Sequence, residues 1–490
     1  MYVSTRSKAR PVRASQAIFE GIAPDGGLYT PVDLGEKRLE AETVLSLSAE
    51  EIWVRTLSCL LDDYSEGELR GIVREGYRGK FETEDLTPTV KVGDSWVLEL
   101  FRGPTCAFKD LALSLLPRLI TRAREKVGSG EQVMILTATS GDTGKAALKG
   151  FEDVEGTSIA VFYPHGGVSD VQKAQMVTQT GHNVRVCAVK GNFDDAQTGV
   201  KSIFAHEQAN GWAREKGVRL SSANSINLGR LAPQVAYYYK AYADLARSGA
   251  IQVGEKVDFV VPTGNFGDIL AGEFARRMGL PVGRLVCASN ANRVLTDFIR
   301  TGTYDRRREF HKTLSPSMDI LVSSNLERYL FLASGMDTDL VADMMKRLRE
   351  DGIYTAPESV MREMKARFWA GCAGDAQTLD TIGRVYKETG YLMDTHTAVA
   401  WRVMEEYRRE AGDGRKTVVL STASPFKFPA AVLKALGQSE PADGFAAMEA
   451  LEKYTGIRAP EPLRTLKTMP VRHRDVTEKD GMLGYIQNLI

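Results

Sequence analysis

Short apolar runs rich in β-branched and aromatic residues punctuate the chain: WVLELF (96–101), VMILTAT (133–139), SIAVFYP (158–164), VRVCAVKG (184–191), VDFVVPTG (257–264), RLVCAS (284–289) and TVVLSTAS (417–424). Most lead through a Gly/Ser/Asp-rich turn into a helix-patterned segment, the signature of α/β units around a buried parallel sheet. Ligands of such folds bind beyond the carboxyl ends of the strands. The first 90 or so residues differ. LSAEEIWVRTLSCLLDDYSEGELRGIVREGY is helical in pattern and charged, which predicts an accessory N-terminal layer. Residues from about 292 to 380 are helix-patterned and charged too. No repeat of fixed period and no low-complexity linker interrupts the chain.

A length of 490 residues predicts two to four domains with room for a deep cleft between them. Lys and Arg total 63 and Asp and Glu total 63, so no charge excess points to nucleic acid or to an anionic membrane. A small-molecule substrate is the expected partner. Cys59, Cys106, Cys187, Cys287 and Cys372 form no C-x-x-C, and the six histidines form no H-x-x-x-H. This argues against a disulfide framework or a metal site and for reduced thiols in a cytoplasmic protein. No apolar stretch approaches the length of a membrane span, and the basic MYVSTRSKARPVR is followed by no signal-peptide core.

Chemistry concentrates in strand-end loops. FRGPTCAFKDLALSLL (101–116) sets Lys109 behind a Gly-Pro turn and among apolar residues, where burial should lower its pKa and make the neutral amine a nucleophile able to form a Schiff base. TATSGDTGKAALKG (137–150) opens a helix whose start can hold an anion. It is no nucleotide P-loop, because only two residues separate Gly141 from Gly144 and Ala146 follows Lys145. Thr139, Ser140 and Thr143 suit a carboxylate, and an ordinary helix cap would read the same way. VPTGNFGDILAGEFA (261–275) repeats the design, with Gly264, Asn265, Phe266, Gly267 and Asp268 forming either an oxyanion cradle or a plain strand-to-helix turn. LSTASPFKFPA (420–430) presents Ser421, Thr422 and Ser424. A reactive lysine, a phosphate-sized loop and a hydroxyl loop together are what pyridoxal phosphate needs.

The loops, together with GIAPDGGLYTP (21–31), SANSINLGRLAPQ (222–234), SPSMDILVSSNLERYLF (315–331) and MDTHTAVAW (393–401), resemble threonine synthases of the longer bacterial and fungal type. The resemblance runs from YVSTR to at least TASPFKF. It implies a fold type II pyridoxal phosphate enzyme, α/β, with two parallel-sheet domains around a cofactor cleft plus a helical N-terminal accessory domain. The expected division is 1–92 accessory, 93–225 smaller domain, 226–435 larger domain with the insertion at about 292–380, and 436–490 C-terminal segment. The implied reaction converts O-phospho-L-homoserine and water to L-threonine and phosphate.

By the same resemblance Lys109 is the Schiff-base lysine, Gly264–Asp268 cradles the cofactor phosphate and Thr422 faces the pyridine nitrogen. Thr139, Ser140 and Thr143 meet the substrate carboxylate, while Asn224, Ser225 and Arg230 fit the substrate phosphate. Two positions depart from the pattern. Asp142 lies where related enzymes often place an asparagine toward the cofactor's phenolic oxygen, so it needs a shared proton or another partner. Ser424 stands where the family often has histidine, which removes an imidazole near the ring. Cys106 reads as a small buried hydrophobe rather than a nucleophile. The alternatives are a phospho-lyase that releases 2-oxobutyrate, and a ligand-binding regulator without turnover, against which Lys109 speaks.

Overall fold

Two sheets carry the molecule, and the computed structural model describes all of it except residues 140, 167 and 412. The larger sheet has six strands in the order Phe368–Cys372, Val282–Ser289, Val257–Pro262, Thr417–Ser421, Ser95–Glu99 and Thr89–Val92. All neighbours are parallel except the last pair. The second sheet is wholly parallel, in the order Asp475–Glu478, Val184–Lys190, Thr157–Pro164, Gln132–Ala138 and Val218–Ser221. Each of the apolar runs singled out in the sequence is a strand.

The central strand Val257–Pro262 shows why such runs are continuous. Phe259 and Val261 enter one hydrophobic core, and Val260 between them enters another. Successive side chains point to opposite faces of a strand, and helices cover both faces here, so every position is apolar except Asp258, which is buried and paired with Tyr407 and Arg415. On the first face lie the helix Leu228–Arg247, buried along nearly its whole length, and the helix Gly267–Arg277. The helix Thr395–Ala411 covers the other face.

The N-terminal layer packs onto the first core through Ile52, Trp53 and Leu57 of the helix Ala49–Leu60. Its next helix, Glu66–Tyr77, begins with a capping box in which Ser65 and Glu68 exchange hydrogen bonds. Arg6 forms an ion pair with Glu327 at 2.7 Å, so the YVSTR and NLERYLF segments meet. Buried Arg328 donates from Nε to the carbonyl of Tyr29 at 2.9 Å and from Nη2 to that of Ile226 at 2.5 Å.

The strand pairings divide the chain differently from the expected 93–225 unit. Ser95–Glu99 pairs with Thr417–Ser421 in the six-stranded sheet, and Asp475–Glu478 closes the five-stranded one. The region 292–380 is mainly helical, but within it Phe368–Cys372 is an edge strand and Thr303–Asp305 pairs with Ile353–Thr355. Among the described residues no helix is long and apolar enough to cross a membrane.

Candidate active site

Three adjacent strands of the larger sheet, Val257–Pro262, Thr417–Ser421 and Ser95–Glu99, run parallel and release their loops at the same end. Those loops carry Gly264–Asp268, Thr422 and Lys109. They meet in one cleft that is also lined by Thr143, Asn224, Ser225 and Arg230.

Lys109 is held by its neighbours rather than by its own side chain. Asp110 accepts from the Thr105 amide at 2.8 Å and from Thr105 Oγ1 at 2.6 Å, which closes the turn of residues 103–110. The Phe108 amide donates to the carbonyl of Thr422 at 2.9 Å, and the Ser424 amide donates to that of Cys106 at 3.1 Å. The lysine loop and the hydroxyl loop are thus joined by a short antiparallel bridge. Lys109 Nζ lies 3.4 Å from Ser317 Oγ. Burial pushes the amine down to about 8; Lys427 and Arg230 push the same way, and Asp142 opposes them. About a tenth of such an amine is neutral at pH 7, far more than for an exposed lysine, and that fraction can add to a carbonyl.

The glycine loop presents backbone rather than side chains. Phe266 adopts a left-handed φ of 59° just before the helix Gly267–Arg277. The strain is held by its ring, which is buried against Phe368 and Tyr329. Among the described residues no protein acceptor meets the amide N–H groups of Gly264, Asn265, Phe266 and Gly267. Unclaimed amides at the start of a helix form an anion site. The loop closes tightly over its neighbours: a Cβ on Gly264 would lie 2.8 Å from the carbonyl oxygen of Ser317.

Other expected residues take different places. Thr139 does not line the cleft; its Oγ1 accepts from the amides of Gly141 and Gly144 at 3.0 Å and fastens the start of the helix Asp142–Phe151. Ser140 lies outside the described residues. Asp142 is buried off the cleft wall with its carboxylate 2.7 Å from Lys427 Nζ. The contact is an ion pair and not an aligned hydrogen bond, since Oδ1 has no hydrogen-bond partner among the described residues, while Lys427 donates to the carbonyl of Thr105 at 2.9 Å. Burial would raise the Asp142 carboxyl, but Lys427 and then Lys109 outweigh it and hold the group well below the usual carboxylate range. The partner that Asp142 needs is therefore Lys427, which lies on the hydroxyl loop three residues after Ser424.

Ser424 is taken up by a turn. It is buried, and its Oγ accepts from the Phe426 amide at 3.3 Å to cap the turn Pro425–Lys427. An imidazole does line the cleft, from another element. His396 Nδ1 lies 2.7 Å from Asp394 Oδ2, and His396 Nε2 accepts from the Ser317 amide at 3.1 Å. The amide requires a bare Nε2, so the ring proton sits on Nδ1 toward the carboxylate. Cys106 is fully buried, and burial pushes its thiol far up, so it is inert. Sequence reasoning also passed over Gln234 and Ser317, both on the cleft wall.

Known proteins resemble the chain along most of its length. Residues 82–362 match the family described as pyridoxal-phosphate dependent enzyme, residues 1–77 match threonine synthase N terminus, and residues 397–480 match threonine synthase, C-terminal. The threonine synthase of Pseudomonas aeruginosa is 41% identical over an alignment of 445 residues that covers 89% of this chain and 91% of that one. The chain belongs to the threonine synthase family. Two threonine synthases of known structure share its fold. The one from Brucella melitensis, solved with PLP bound, has a TM-score of 0.87 at 36% identity, covering 99% of this chain and 98% of the other. The yeast enzyme has a TM-score of 0.88 at 32% identity over the same shares. As a threonine synthase family member the chain is a pyridoxal-phosphate-dependent, phosphate-eliminating lyase. Its residues fit the cofactor: four unclaimed amides suit a phosphate, and a lysine of lowered pKa suits an aldehyde.

Proposed function

We propose that the cleft converts O-phospho-L-homoserine and water to L-threonine and phosphate, with the sequence-predicted residues in the following roles. The observation that carries the reading is the meeting of Lys109, the unclaimed amides of Gly264–Gly267 and the buried guanidinium of Arg230 in one cleft.

When bound, pyridoxal phosphate supplies an electron sink for the charge left as a proton leaves carbon. The Gly264–Gly267 amides hold its phosphate, and the Thr422 hydroxyl, on the cleft wall, serves its ring nitrogen. Lys109 would anchor the cofactor and, when its amine is free, take the substrate's α-proton, a task suited to an amine of pKa about 8. Arg230 holds the departing phosphate with Asn224 and Ser225. Its Nη1 donates to the Ala223 carbonyl at 2.5 Å, whereas Nε has no partner among the described residues. A guanidinium tied on one side and unsatisfied on the other is prepared for an oxyanion. Thr143, beside the expected Thr139 and Ser140, serves the substrate carboxylate, with Thr139 acting through the helix start it fastens. Asp142 acts at a distance, as the buried anion that keeps Lys427 in place and offsets the cations around Lys109.

The deciding experiment supplies purified protein, loaded with pyridoxal phosphate, with O-phospho-L-homoserine. Threonine and phosphate should appear in equal amounts. Phosphate with 2-oxobutyrate and ammonia in place of threonine would overturn the reading.

A further inference from the structure

The start of the helix Gly267–Arg277 holds a carboxyl group where an anion is expected to bind. Asp268 lines the cleft and is itself only 7% exposed. Its Oδ1 lies 2.6 Å from the hydroxyl of Tyr237 and 2.9 Å from that of Tyr238, both on the buried helix Leu228–Arg247. Its Oδ2 is buried and has no partner among the described residues. The loop segment PTGNFGD (262–268) contains no lysine or arginine, so nothing in it offsets a carboxylate beside a phosphate.

We propose that Asp268 is held as the neutral acid in the loaded enzyme, with Oδ2–H donating to an oxygen of the cofactor's 5′-phosphate. This rests on the reading of Gly264–Asp268 as the phosphate cradle. The tyrosine hydroxyls orient the group through Oδ1 and leave Oδ2 as the atom available to carry the proton. A carboxylate there would face the phosphate with like charge, and Oδ2 would remain buried and unsatisfied. The acid removes both penalties with one proton.

The charged surroundings agree. Burial pushes the carboxyl up to about 6, against the tyrosine hydroxyls and Lys109, which act to lower it. The other titratable groups on the cleft wall are Arg230 and His396. A phosphate in the loop adds negative charge and raises the carboxyl further. Asp268 is therefore ionised at pH 8 before the cofactor enters and protonated afterwards, the proton coming from solvent.

The test counts protons. Full-length apoenzyme is titrated with pyridoxal phosphate by calorimetry in buffers of different ionisation enthalpy, for the parent and for Asp268→Asn, whose amide keeps a donor. Near pH 8 the parent should take up about one proton more than the variant, and at pH 5, where the acid already carries its proton, the difference should vanish. Pyridoxal, which lacks the phosphate, should show no difference at either pH. Equal counts at pH 8 overturn the proposal, as does an extra proton that persists with pyridoxal or that enters only when inorganic phosphate is added to the holoenzyme. Should the variant not fold, infrared spectra of parent protein carrying 13C-labelled aspartate decide. A neutral-acid carbonyl band must appear at pH 8 on cofactor binding, and its absence overturns the proposal. Failure of the underlying reading looks different: were the phosphate not held by this loop, the variant Gly264→Ala would bind pyridoxal phosphate as tightly as the parent does, before any proton is counted.

Discussion

Lys427 holds its ammonium 2.7 Å from the carboxylate of Asp142, and neither side chain reaches solvent to any extent. Lys427→Met should therefore strand a buried charge and cost about 3–5 kcal/mol in urea unfolding at pH 7. The sign of the pH dependence should also change. In the parent the lowered carboxyl contributes stability that is present above its unfolded value near pH 4 and lost as pH falls toward its folded value. Without the lysine, burial dominates, and the variant should gain relative stability on acidification. Adding Asp142→Asn should recover part of the loss.

Covalent labelling of Lys109 should follow the lowered pKa. Borohydride trapping of pyridoxal phosphate on the apoenzyme should rise with pH around a midpoint near 8, well below that of an exposed lysine. Peptide mapping should find the label on Lys109, and Lys109→Ala should lose both the label and turnover. A label on any other lysine contradicts the assignment.

Arg230→Ala should lower kcat/KM for the phosphorylated substrate by roughly 1.5–3 kcal/mol, about 10- to 150-fold, since a charge-assisted contact with the phosphate is lost. Cofactor affinity, measured from the visible spectrum, should change little because the Gly264–Gly267 amides lie on another loop. Equal losses in both quantities would show that Arg230 serves the cofactor.

Thr422→Val should weaken cofactor binding by about 1–3 kcal/mol, the cost of leaving a ring nitrogen without its donor. The Lys109 loop should stay in place, because Thr422 holds it through a backbone carbonyl that valine keeps. Ser424→His, which restores the commoner family residue, should destabilise the fold by about 1–3 kcal/mol through overpacking, since Ser424 is only 1% exposed and caps a turn. Thermal melts of the two variants check the contrast.

Strands in the middle of each sheet were legible because both their faces are buried. Those passed over were Thr89–Val92, Val218–Ser221, Phe368–Cys372 and Asp475–Glu478, which stand at the four outer positions of the two sheets. Thr89–Val92, Val218–Ser221 and Asp475–Glu478 are short edges with polar residues among their apolar ones, whereas Phe368–Cys372 is apolar but only five residues long and continues directly from the helix Glu358–Arg367. DVTE at 475–478 is mostly exposed and reads as polar surface. The site was legible for a parallel reason: glycine-rich turns and a lysine among apolar residues are local signals. What pairs across the chain was not. Nothing near Asp142 names Lys427 as its counter-ion, nothing near Ser317 names His396, and the two tyrosines at Asp268 lie on a different helix.

The strand Asp475–Glu478 lies beside Val184–Lys190, and Lys190 meets Glu478 at 2.6 Å although the two are 288 residues apart in the chain. During synthesis the earlier strand leaves the ribosome long before its cover exists. Its outward N–H and C=O groups stay unpaired for that whole interval, and an open edge of this kind invites pairing with another nascent chain. Deleting the segment from residue 470 onward should show as aggregation during expression, while the cleft residues, all of which precede it, remain intact in sequence.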